Sequence, residues 1–113
     1  MKVLPASWYE VVTSNIETIR KGTMSFLLIS FLITAGKYKD CVYTEAFPVY
    51  DERTDELFDD GNDALYHIAQ LGRYKGIIFD TDQIRNTPLR IRLKTLSKNG
   101  IRVNQIAEYA PIK

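Results

Sequence analysis

The amino-acid sequence predicts a mainly β domain, and three features carry the prediction. From Pro88 onward, Leu89, Ile91 and Leu93 alternate with Arg90, Arg92 and Lys94, the period-two pattern of a strand with one buried face. Two earlier segments, Ser7 to Lys21 and Met24 to Thr34, are rich in β-branched and aromatic residues. Asn99-Gly100 then separates the alternating run from another apolar-rich segment, Ile101 to Ala110, as a two-residue hairpin turn does.

With 113 residues the chain is expected to be one domain spanning 1–113. A single cysteine, Cys41, precludes an intrachain disulfide and suits a reducing, cytoplasmic setting. One His and one Cys fall short of the roughly four ligands of a structural zinc site, so no metal or cofactor is expected. The longest predominantly apolar run, residues 26–33, is too short for a membrane span of about 20 residues, and no membrane association is expected. A secretion signal is not expected either, because the apolar stretch follows 23 residues of patterned sequence.

The first strand, Ser7 to Lys21, changes apolar parity between Val12 and Ile19, which a bulge around Ser14 and Asn15 would reconcile. Lys21-Gly22-Thr23 turns into the second segment, where Leu27, Ile29, Phe31 and Ile33 line one face and Met24, Phe26, Leu28 and Leu32 the other. Such a run fits a strand covered on both sides or a buried helix, and its β-branched content and flanking glycines favour strand. Cys41 to Val49 alternates as a third strand, with Pro48 ending the pairing. An acidic loop over about 51–63 follows, and Ala64, Leu65, Ile68, Ala69 and Leu71 recur at helical spacing. A helix over about 62–72 is predicted, with Asn62 as N-cap, Gly72 as its stop, and Arg73 and Lys75 at the negative end of its dipole. Residues 76–86 show no clear pattern.

The order is three strands, one short helix, then two strands. Strands of 11 to 15 residues, about twice the usual length, leave a sheet flat and exposed unless it bends back on itself. The predicted fold is therefore a five-stranded OB-like Greek-key barrel with a short helix between strands three and four, an open α+β sandwich being the alternative.

Net charge is only +1, but seven acids fall within residues 51–63 with one base, leaving a balance of +7 elsewhere. A nearly neutral molecule can thus carry one basic and one acidic surface. Arg90, Arg92 and Lys94 would stand about 7 Å apart on one strand face, near the spacing of nucleic-acid phosphates. Lys98 and Arg102 extend that stripe into the last hairpin, and Lys21 lies in the loop between strands one and two; both loops are usual contacts of OB barrels. Phe26 and Tyr43 are the candidate base-stacking residues on the outward surface, with Tyr38 and Tyr50 on adjoining loops. The competing readings are a solvated face for the cations, and core or dimer contacts for the aromatics. Catalytic patterns are weak: Asp51, Glu52, Asp80 and Asp82 as a magnesium cluster, or Cys41 with His67 as a thiolate pair, lack any motif fixing their geometry. Cys41 reads rather as a small buried apolar residue of a strand.

Several stretches together, Leu4-Pro5-Ala6-Ser7-Trp8-Tyr9-Glu10-Val11-Val12, Gly36-Lys37-Tyr38-Lys39-Asp40, Asp82-Gln83-Ile84 with Thr87-Pro88-Leu89, and Asn104-Gln105-Ile106-Ala107-Glu108-Tyr109-Ala110-Pro111, make a resemblance. In their order and spacing the chain resembles small phage-encoded single-stranded-DNA-binding proteins, found among replication and recombination genes of phages that infect Gram-positive bacteria. The resemblance implies an OB-type barrel that coats single-stranded DNA in the host cytoplasm with little sequence preference. It also implies a homo-oligomer that can serve a phage recombinase or annealing protein. The chain departs from that family in having Ala6 or Ser7 where glycine is usual, and in a more acidic segment before the helix. No acidic tail follows Lys113, so recruitment through such a tail is not expected. The expected function is non-enzymatic single-stranded-DNA binding; the alternative is a small barrel that binds a replication or host protein.

Overall fold

The computed structural model describes residues 3–72 and 84–112. Six antiparallel strands form one curled, half-barrel sheet: β1 (Ser7–Lys21), β2 (Met24–Ile33), β3 (Val42–Asp51), β4 (Glu56–Leu57), β5 (Pro88–Lys98) and β6 (Ile101–Ala110), with helix α1 (Asp60–Leu71) between β4 and β5. Their order across the sheet is β4-β3-β2-β1-β5-β6. The chain after the β1-β2-β3 meander thus returns to lay β5 beside β1, which is the Greek-key connection. The mainly β prediction holds with one more strand than expected, the two-residue β4 paired to Tyr50 and Asp51.

The long β1 is the spine. Its first half, Ser7 to Val12, pairs with β5, and Val11 to Lys21 pairs with β2. The register shifts between Thr13 and Asn15, at the expected bulge, so Val11 and Thr13 before it and Ile16 after it all face inward. One extra residue therefore converts odd-numbered into even-numbered core positions. Buried Thr13 fixes the bulge: its hydroxyl donates to the Ile84 carbonyl (2.5 Å) and accepts from the Thr87 amide (2.9 Å), while its own amide donates to the Thr87 carbonyl. Thr13→Val keeps the shape but leaves the Thr87 amide and Ile84 carbonyl without that partner. It is expected to lower unfolding free energy by about 1–3 kcal/mol, read by urea denaturation.

Leu27, Ile29, Phe31 and Ile33 of β2 and Leu89, Ile91 and Leu93 of β5 are buried on the concave face, as their alternation predicts. The other face of β2 is only half covered, so β2 is a one-sided strand rather than one sandwiched on both sides. The third strand does not stop at Pro48. A register shift opposite Ser25 and Phe26 carries the pairing past the proline to Asp51, because a bulge tolerates a residue without an N–H.

Helix α1 begins two residues earlier than expected, with Asp59 rather than Asn62 at the N-cap and no side-chain capping bond. Ala64, Ile68 and Ala69 insert into the core, and the helix packs against β3 and β6. Gly72 is the C-cap, as the sequence suggests, but for space rather than handedness. Its φ is −78°, and a Cβ there would come within 2.7 Å of the Thr87 methyl. Asn99 and Gly100, with φ of 51° and 78°, form the turn in which both central residues are left-handed, and so join β5 to β6. Arg73, Lys75, residues 76–83 and hence the proposed Asp80 and Asp82 lie outside the described residues.

Candidate nucleic-acid interface

No ladder joins β3 to β6, so the curled sheet leaves a seam between its two long edges. The seam is a groove of about 980 Å³, with Val42 to Ala46 of β3 on one side and the β5-β6 hairpin (Leu96, Lys98, Ile101 to Gln105) on the other. The N-terminal segment Val3 to Pro5 and Tyr38 also line it. Side chains do here what a ladder would otherwise do. The Asn104 amide donates to the Leu4 carbonyl (2.9 Å) and its oxygen accepts from the Leu4 amide (2.8 Å), holding the first described residues on β6. Tyr9 Oη donates to the Pro5 carbonyl (2.6 Å) and fixes the same segment from below.

Glu45 spans the seam. Its Oε1 accepts from the Ile106 amide of β6 (2.8 Å) and from the Tyr43 hydroxyl (2.5 Å). Burial pushes the Glu45 carboxyl above the usual carboxylate range, although these two hydrogen bonds and the charge of Lys94 pull it back. Burial and the same carboxylate raise the Tyr43 and Tyr109 hydroxyls, which remain neutral at any ordinary pH. A carboxylate at a core position of a strand is the one signal in the sequence that could have revealed this bridge: Glu45 shares its parity with Tyr43 and Phe47.

The sequence-predicted site residues are distributed unevenly around this groove. Lys98 and Arg102 line its wall and are exposed. Lys94 is exposed on β5, four residues before Lys98, and lies opposite Gln105, which also lines the groove. Arg92 is engaged: its guanidinium binds Glu108 at 2.7–2.8 Å across the β5-β6 pair. Arg90 lies over the Trp8 ring, 5.1 Å from its centroid, and donates to the Pro111 carbonyl (2.9 Å). The expected open stripe of three cations is therefore reduced to Lys94, because strand alternation brings Trp8 and Glu108 onto the same face as the arginines. Arg92→Gln should change affinity for an oligonucleotide by less than about twofold in an anisotropy titration, since an exposed ion pair of this kind contributes little and occupies the guanidinium.

Two further expectations are corrected. Tyr43 is not on the outward surface: it pairs with Phe31, shares its inward direction, and is 7% exposed, so its ring belongs to the core. Phe26 is half-buried on the opposite, convex face, opposite Pro48, and the two rings cannot form one platform. Lys21 is likewise apart from the groove. It ends β1 opposite Met24, which pairs with Asp51, and next to Arg20, whose guanidinium binds Glu52. This end of the sheet is the acidic one.

The acidic segment is not merely a solvated loop. Asp51 is buried, its Oδ1 accepting from the Thr23 hydroxyl (3.0 Å) and the Arg53 amide (3.0 Å), and Asp55 accepts from the Tyr50 hydroxyl. These contacts tie the turn after β3 to the β1-β2 turn. Cys41 is exposed just ahead of β3, rather than buried within it. His67 stacks on Tyr109, ring centroids 5.3 Å apart and 11° from parallel, joining α1 to β6. Among the described residues, no three His, Cys, Asp or Glu side chains are grouped to hold a metal ion, and no helix is long and apolar enough to cross a membrane.

Fold and groove together define a Greek-key half-barrel with a cation-flanked open seam. Neither a family model nor a curated protein matches the chain.

Proposed function

We propose that this protein binds single-stranded DNA without sequence preference, laying the strand in the groove between β3 and the β5-β6 hairpin. The observation that carries the reading is the placement of Lys98 and Arg102 on the wall of a groove of about 980 Å³, with Lys94 next to it. An open seam beside a protruding basic hairpin offers phosphates a cationic wall, and the apolar side chains Leu96, Ile101, Val42 and Val103 give unstacked bases a surface to cover. The resemblance of the sequence to phage single-stranded-DNA-binding proteins supports the same reading. It adds a setting, the cytoplasm of an infected host, and a role in phage replication and recombination alongside a recombinase or annealing protein. The reading is non-enzymatic: binding protects and straightens an unpaired strand.

Fluorescence anisotropy with labelled dT20 and with a duplex of equal length, each at 50 and 200 mM salt, tests it. Preference for dT20 with a steep loss of affinity at the higher salt is the expected result. Equal binding to both, or to neither, would remove the reading.

A second reading has its own observation. On the convex face Val42 is 55% exposed and Ile19 is exposed, and they border half-buried Phe26, Leu28 and Leu32. Such an apolar face suits a protein partner, including another copy of the chain. Light scattering at increasing protein concentration reports on self-association, and retention of a single mass across the range would exclude it.

A further inference from the structure

A second cleft, of about 610 Å³, opens where the start of β1, the β2-β3 turn and the C-terminal residues meet. Its walls include Trp8, Lys37, Tyr38 and Arg90, and Glu10 is the one carboxylate among its described lining residues. Trp8, near the start of β1, is 39% exposed, and the Arg90 guanidinium lies over its ring. Lys37 Nζ stands 5.7 Å from the Tyr38 ring centroid, and Tyr38 is braced edge-on by Tyr9, with centroids 6.2 Å apart at 70°. Two aromatic rings, each attended by a cation, occupy one concave surface. That combination matches a nucleotide, whose base stacks and whose phosphate needs positive charge.

The two clefts adjoin. Pro5 and Tyr38 line both, so a strand that passes over Pro5 and Tyr38 at the end of the hairpin groove reaches Trp8. A double helix has no free base faces to offer Trp8, whereas an unpaired strand does. We propose that Trp8, Lys37 and Arg90 form a second nucleotide subsite, and that one single strand occupies the groove and this cleft together. The proposal rests on the groove reading above and extends it around the start of β1. It also gives Arg90 a place in binding that the open-stripe expectation does not: its cation is held over an indole at the end of the path rather than along the hairpin.

Trp8 is the only tryptophan in the chain, so its emission reports on this cleft without any labelling of the protein. Titration of the unmodified protein with dT20 should quench that emission in step with the anisotropy of labelled dT20. Lys37→Glu, on an exposed turn, and Trp8→Leu should each lower dT20 affinity by about tenfold, the loss of a cation contact or of one stacked base. The proposal is overturned if dT20 binds, and binding falls on charge reversal at Lys98 and Arg102, while Trp8 emission stays constant and Lys37→Glu binds like the unmodified protein. The opposite pattern, quenching and Lys37 dependence with no effect of Lys98 and Arg102, upholds the Trp8 subsite and overturns the groove. Absence of any dT20 binding overturns both.

Discussion

Charge reversal at the hairpin, Lys98→Glu combined with Arg102→Glu, is expected to lower affinity for dT20 by about 100-fold at 0.1 M salt. Each lost cation-phosphate contact is a charge-assisted hydrogen bond of about 1.5–3 kcal/mol, and two at the lower end already amount to about 3 kcal/mol, or two decades in affinity. The same change should make the plot of log affinity against log salt shallower by about 1.4, since each phosphate contact on a single strand contributes about 0.7 to the slope. Both side chains are exposed on a hairpin that projects from the core, so the melting temperature should stay within a few degrees of the unmodified protein. An unchanged slope would place the phosphates elsewhere, whatever happened to affinity. Arg92→Gln serves as the internal contrast, because its guanidinium is already committed to Glu108.

The largest effect on stability is expected at Glu45. Glu45→Leu deletes the acceptor shared by the Tyr43 hydroxyl and the Ile106 amide, leaving two donors without it, and should cost about 2–4 kcal/mol in chemical denaturation. Glu45→Gln retains a side-chain carbonyl oxygen able to accept both bonds, and should fold as stably as the unmodified chain or more so at neutral pH, having no charge to bury. The pH dependence separates the two contributions. Burial raises the folded-state pKa of Glu45, so between its ordinary value and the raised one the native protein holds a proton that the unfolded chain has released. The resulting stability is fully present below the ordinary carboxylate value and is lost as pH rises through the folded one. Glu45→Gln lacks this transition, and its advantage over the unmodified protein should shrink as the solution is acidified across that window. A constant difference between the two proteins from neutral to acid pH would mean that the carboxylate is not buried as the seam requires.

That same carboxylate faces the groove proposed for a polyanion, tempered by Lys94 and by two donors. Glu45→Gln should therefore bind dT20 somewhat more tightly than the unmodified protein, the reverse of what a cation contact would show.

Local periodicity made much of this architecture legible in advance. The alternation of Leu89, Ile91 and Leu93 with charged residues sets which face of β5 is buried, and the parity change within Ser7–Lys21 locates the bulge at Ser14, because one extra residue is the only way to keep Val11 and Ile16 on one side of a strand. Asn99-Gly100 fixes the last hairpin through its left-handed φ values, and Gly72 marks the helix end. These are short-range constraints, each contained in a few consecutive residues.

The site was less legible because it is built from partners distant in sequence. Nothing near Arg92 in the chain announces Glu108, and nothing near Arg90 announces Trp8; strand pairing across β1, β5 and β6 brings them together and takes two of three expected phosphate contacts out of the open stripe. Tyr43 was assignable to a face only once its register against Phe31 was known, since a shift of one residue inverts every side chain of a strand. The amino-acid order by itself determined the five long strands apart from the end of the third, the bulge at Ser14, the last hairpin turn and the basic character of that hairpin, because backbone preference and apolar alternation act over a few residues. Only the tertiary structure decided that the sheet stays open between β3 and β6, that Glu45 bridges the opening, and which cations remain available beside it, because those outcomes depend on how edges some 60 residues apart approach one another in space.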